Sequence, residues 1–141
     1  MKILVSACLL GRNCKYNGGN NLSRDVIDFI GENQAVPVCP EELAGLGTPR
    51  IPIEIKDGCV IRRDGVSVDR EIRGAVDEII KNIEGQDIGL CILKSRSPTC
   101  GVKQIYDGSF SGKLIDGQGV LCAALCKAGY KVLDSEELLE K

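Results

Sequence analysis

Cys8, Cys39 and Cys100 each lie beyond an apolar, strand-like run, and the three runs are far apart in the chain. The runs are Ile3-Leu4-Val5, Ala35-Val36-Pro37-Val38 and Ile88-Gly89-Leu90-Cys91-Ile92-Leu93. In an open parallel sheet, ligands bind at the carboxyl edge, where strand order reverses. Thiols gathered there, in a chain of eight cysteines and no histidine, suit a soft metal or an iron–sulfur cluster. The missing histidine excludes a Cys-His dyad, a Ser-His-Asp triad and a Cys2His2 zinc site. Cys14 lies six residues after Cys8 and is the candidate fourth ligand. Four thiolates would close the site, whereas three would leave one coordination position for a substrate.

The elements that must position these thiols follow from hydrophobic period and turn residues. Residues 2–8 read as a buried strand and Gly11–Asn21 as a polar loop. Ser23 is placed to cap a helix running to about Asn33, and Ala35–Val38 makes a second strand followed by a loop. Asp57-Gly58 and Asp64-Gly65 interrupt the run from 51 to 68, which predicts a small antiparallel insertion. Asp69 caps an expected helix over Arg70–Ile83, whose apolar residues recur at helical spacing. Ile88–Leu93 is apolar enough for a central parallel strand. A long loop is expected from Lys94 to about Gly117, then a helix from Gly119 to Ala128, a strand at Tyr130–Leu133 and a short helix capped by Ser135.

The alternation predicts one α/β domain over 1–141 with a mainly parallel, Rossmann- or flavodoxin-like sheet in the order 2-1-3-4. A length of 141 residues, with 43% hydrophobic and 27% charged residues, fits one soluble core. The net charge of −2 argues against a general nucleic-acid binder. No apolar run approaches the ~20 residues of a membrane span. The N-terminus reads as a first strand and not a signal peptide, which points to the cytoplasm. There, cysteines serve metal or thiol chemistry more than disulfides. Cys91, Cys122 and Cys126 read as small core residues, and Cys59 as incidental.

Three motifs in order carry a family resemblance. Cys8-Leu9-Leu10-Gly11 runs through Cys14-Lys15-Tyr16-Asn17-Gly18-Gly19, Cys39-Pro40-Glu41-Glu42 precedes Gly45-Leu46-Gly47-Thr48-Pro49-Arg50, and Lys94 precedes Ser97-Pro98-Thr99-Cys100-Gly101. Together they resemble the domain-of-unknown-function family 523, which includes a thiouracil desulfidase. The resemblance implies a [4Fe-4S] cluster held by Cys8, Cys39 and Cys100, with one iron open to the substrate's sulfur. It implies an enzyme that desulfurates a thiolated nucleobase such as thiouracil by non-redox hydrolysis. Glu41 and Ser97 match its catalytic polar residues, and Cys14 falls near the site without being a ligand. Iron–sulfur assembly machinery would be the supplying partner. A water attacking the thiocarbonyl needs a base, which Glu41 could provide. Lys94, Arg96, Arg50 and Arg12 are weaker candidates for holding a carbonyl oxygen or balancing cluster charge, and Tyr16 for stacking on a base. Two other readings stay open: sulfur transfer onto a nucleobase by the same cluster, and a non-catalytic four-cysteine site for zinc or a cluster.

Overall fold

The computed structural model describes residues 1–140, so Lys141, the last residue of the expected domain, lies outside the described residues. A four-stranded sheet is formed by β1 (Lys2–Ser6), β2 (Gln34–Val38), β5 (Ile88–Leu93) and β8 (Val132–Asp134). Its order is β2-β1-β5-β8 and every pairing is parallel. This is the expected 2-1-3-4 arrangement. The chain leaves β1 for one side of the sheet and returns on the other, so the switch point lies between β1 and β5. Pro37 is tolerated in β2 because that strand is at an edge, where a missing donor is least costly.

Side chains alternate across the two inner strands and so supply two cores. Ile3, Val5, Leu90 and Ile92 pack with Val26 and Ile30 of α1 (Arg24–Ile30) on one face. Leu4, Cys91 and Leu93 face α3 (Asp69–Ile83) and α4 (Val120–Lys127) on the other. Ile72, Val76, Ile79 and Ile83 form the buried stripe of α3. Helices on both faces make the doubly wound architecture. Among the described residues, no helix is long and apolar enough to cross a membrane.

Several expectations shift at their ends. The hydroxyl of Ser23 does cap α1, accepting from Val26 N at 3.3 Å, but the helix stops at Ile30 before Gly31. Asp69 is the first residue of α3 and not its cap. Its carboxylate instead accepts from Val60 N and pairs with Arg73, tying α3 to the insertion. That insertion is a hairpin of β3 (Ile53–Lys56) and β4 (Cys59–Arg62) around Asp57-Gly58. The loop expected after Cys39 begins with a short helix, α2 (Pro40–Leu43), because Pro40 occupies its first turn, where no N–H is needed. The C-terminal segment from Ser135 is a 3-10 helix.

The expected long loop 94–117 holds a second hairpin, β6 (Gln104–Tyr106) with β7 (Leu114–Asp116). Each strand has three residues, and of these six only Ile105 is buried, too little for a visible alternation. Cys126 is exposed, contrary to the core expectation. The buried stripe of α4 runs through Leu121, Cys122 and Leu125, and Cys126 falls on its edge.

Candidate active site

The carboxyl edge of the sheet opens into a cavity of about 510 Å³. Cys8, Cys39, Cys100, Glu41 and Ser97 all line it, as does Cys14. Cys8 sits in the 3-10 turn (Ala7–Leu10) that follows β1 directly. Cys39 is the residue between β2 and α2, in extended conformation. Ser6, the last residue of β1, ties the ends of the two inner strands together, its Oγ accepting from Lys94 N at 2.9 Å.

Cys100 is held by a main-chain scaffold. The loop carbonyls of Pro98 and Thr99 accept from Val120 N and Leu121 N, which are among the orphan donors at the start of α4. Gly101 N donates to Ser97 O and Gly119 N to Gly101 O, both at 2.8 Å. A Cβ on Gly119 would come within 2.4 Å of the Thr99 carbonyl carbon, so no side chain fits there.

Glu41 is buried, with 8% of its surface exposed, and so is not the solvated loop carboxylate its sequence context allows. Its Oε1 accepts from Thr99 Oγ1 at 2.7 Å, and its Oε2 accepts from Cys39 Sγ at 3.5 Å. Thr99 is wholly buried. Ser97 Oγ accepts from Thr99 N and Cys100 N, both at 3.1 Å, and shares a proton with Thr99 Oγ1 at 3.1 Å. Since Thr99 donates to Glu41, the Ser97 hydroxyl donates to Thr99, which gives a polarised chain from Ser97 to Glu41. Neither Thr99 nor Ser6 is singled out by the sequence. The only available signal for Thr99 was its place between Ser97 and Cys100 in a polar motif.

The electrostatics tie the carboxylate to all three thiols. Burial, and then the charge of Glu41, push Cys39 well above an ordinary cysteine. The same two causes, in the same order, push Cys100 up to about 12. Cys8 is raised chiefly by burial, with Asn21 and Lys94 opposing. These thiols become ligands only by losing their protons, which the positive charge of a bound metal group would favour.

The donor set fits a multi-iron group better than one ion. Two thiolates on a single zinc ion lie at most about 4.6 Å apart, twice the Zn–S length. Among the described residues, the potential ligands gathered within 4.8 Å of one another are Cys14, Cys39 and Glu42, and not Cys8, Cys39 and Cys100 together. Thiols spread around a common cavity suit ligands to separate irons.

The weaker candidates divide. Arg50 donates from Nη2 to the Cys14 carbonyl at 3.0 Å and braces the cavity wall. Lys94 Nζ lies on Ser95 Oγ at 3.1 Å and lines the cavity. Arg96 is paired with Glu136, and Arg12 with Glu42, so both have structural partners. Tyr16 lines the same cavity with 45% of its surface exposed. Phe110 also lines the cavity, with the Arg63 guanidinium 5.9 Å from its ring centre.

A model of the 2-thiouracil desulfurase family matches residues 3–137. The chain belongs to that family. As expected from the motifs, this places it among enzymes. YbbK of Bacillus subtilis (strain 168), an uncharacterized protein, is 38% identical over 146 residues, covering 96% of this chain and 97% of the relative. The structure of the [4Fe-4S]-dependent thiouracil desulfidase TudS superposes with a TM-score of 0.91. That match has 35% identity and covers 99% of this chain and 93% of the other.

Proposed function

We propose that this desulfurase-family enzyme removes sulfur from a thiolated pyrimidine by hydrolysis, with a [4Fe-4S] cluster held by Cys8, Cys39 and Cys100. The carrying observation is the meeting of these three thiols with buried Glu41 on one cavity. The likeness to TudS, which is [4Fe-4S]-dependent, supports the choice of cluster over zinc. When bound, such a cluster supplies a Lewis-acidic iron that polarises a thiocarbonyl and stabilises departing sulfide.

The chain's own residues do the rest. Glu41 accepts the proton of the attacking water on Oε2, the oxygen not engaged by Thr99. Thr99 fixes the carboxylate, and Ser97 fixes Thr99 through the 3.1 Å contact. Oε2 then returns that proton to the product, while the Ser97–Thr99 chain, which donates toward Oε1, keeps the carboxylate oriented. Tyr16 and Phe110, both in the cavity lining, are the rings against which a planar base would stack. The unit 1–141, including the insertion at 51–68, would carry the whole reaction. Iron–sulfur assembly machinery would load it in the cytoplasm, where thiols stay reduced.

Anaerobic reconstitution, followed by iron and sulfide counts and a sulfide-release assay on 2- and 4-thiouracil, tests this reading. About four irons per chain and release of hydrogen sulfide are expected. A complete cluster that releases no sulfide from any thiolated pyrimidine would overturn the substrate. Failure to bind iron at all would overturn the cluster.

A further inference from the structure

Cys14 is buried at 2% exposure, yet it has no part in the chemistry above. Its sulfur, that of Cys39 and a carboxylate oxygen of Glu42 lie within 4.8 Å of one another. They come from two elements. Cys14 belongs to the loop after β1, where Arg50 holds its carbonyl. Cys39 and Glu42 are set by the start of α2, where Leu43 N donates to Cys39 O at 3.0 Å. Arg12 pairs with Oε1 of Glu42 and leaves the second oxygen available.

Metal–sulfur bonds of about 2.3 Å and metal–oxygen bonds of about 2.0–2.2 Å put such donors at most about 4.6 Å apart. A tetrahedral ion would hold these donors about 3.5–3.8 Å apart, so the trio, now within 4.8 Å, closes by no more than about 1 Å, within reach of side-chain rotation. Two thiolates and one carboxylate select a borderline cation over magnesium or calcium. Their combined charge of −3 falls to −1 with a dication, beside the guanidinium groups of Arg12 and Arg50.

We propose that Cys14, Cys39 and Glu42 form a site for one divalent cation of the zinc class, which excludes the cluster because both need Cys39. Binding is not redox: two thiol protons leave for solvent, and water completes the coordination. The ion's own binding is independent of the proposed function, whereas the exclusion rests on it.

Cobalt(II) titration of the metal-free protein under argon tests the site, since tetrahedral thiolate-bound cobalt has visible d–d bands. One cobalt per chain is expected. Cys14→Ala and Glu42→Gln should each weaken it at least about tenfold, since even residues that merely support ligands have effects of that size. Cys8→Ala and Cys100→Ala should leave the bands in place. Absence of bands in the parent protein, or bands indifferent to Cys14→Ala or Glu42→Gln, would overturn the site. Loss of bands in Cys8→Ala or Cys100→Ala would also overturn it, by moving the ion among the cluster thiols. Glu42 is half-exposed, so Glu42→Gln carries the test if Cys14→Ala does not fold. Zinc added before reconstitution should lower iron uptake in the parent protein and spare it in Cys14→Ala. Equal uptake with and without zinc would overturn the exclusion. Cobalt bound as expected in a chain that takes up no iron would overturn the proposed function and leave this site standing.

Discussion

Two groups of cysteines in this molecule share a residue type and little else. Cys91 and Cys122 lie in the core between β5, α3 and α4, wholly buried among aliphatic side chains. Cys8, Cys39 and Cys100 lie at the carboxyl edge of the same sheet, around a cavity that also holds a carboxylate. Burial raises the thiols in both groups. At the edge, the charge of Glu41 adds to it at Cys39 and Cys100, and the cavity gives space for a metal group whose charge would favour the thiolates. Burial alone leaves a cysteine inert; the proposed ligands differ in lining an opening that a metal group can enter.

The sharpest way to break this comparison is to exchange the groups. Cys100→Ala should abolish iron binding and sulfide release after anaerobic reconstitution. Cys122→Ala should keep its iron and lose only about 1 kcal/mol of stability, read by denaturant unfolding. Equal iron loss in both would erase the distinction. Next in size is Glu41→Gln, which should reduce turnover by about 10²–10⁴-fold with iron content retained. Thr99→Val removes one hydrogen bond to a charged group, worth about 1.5–3 kcal/mol, so turnover should drop by roughly ten- to a hundredfold. Thr99→Ser should restore it, which a purely steric role for Thr99 would not predict.

A further effect concerns alkali. Cys91 and Cys122 are held up to about 12 in the fold, against an ordinary 9.0. The unfolded chain thus releases these protons first as pH rises. Their contribution to stability is complete below about pH 9 and is lost between about 9 and about 12. Thermal unfolding of the metal-free protein over that range should show the loss. Cys91→Ala should flatten it.

Much of the fold is legible because long elements repeat their pattern. The unbroken apolar run of β5 marks a strand buried on both faces, and the stripe of α3 marks its helix. The β6–β7 hairpin is not legible, because three-residue strands carry no period and pairing decides them. Cys126 illustrates a finer limit, since a four-residue spacing puts it near Cys122 but not on the stripe's centre. At the site, Cys8, Cys39 and Cys100 stand out because they follow strand-like runs in motifs that mix polar, proline and glycine residues, whereas Glu41 and Ser97 stand out only through the family resemblance. Thr99 does not, since a threonine beside a proline is ordinary turn composition. Only the folded chain brings it within 2.7 Å of Glu41, 58 positions away.

The attachment of the Cys100 loop to the start of α4 has a bearing on how the sequence can drift. The bonds involved are amide to carbonyl, so almost any side chain along the outward face of that helix leaves them unchanged. Position 119 is the exception, because a single methyl would displace the Thr99 backbone. Variation can therefore accumulate over the helix without loosening the wall in front of it, with one glycine as the point of vulnerability.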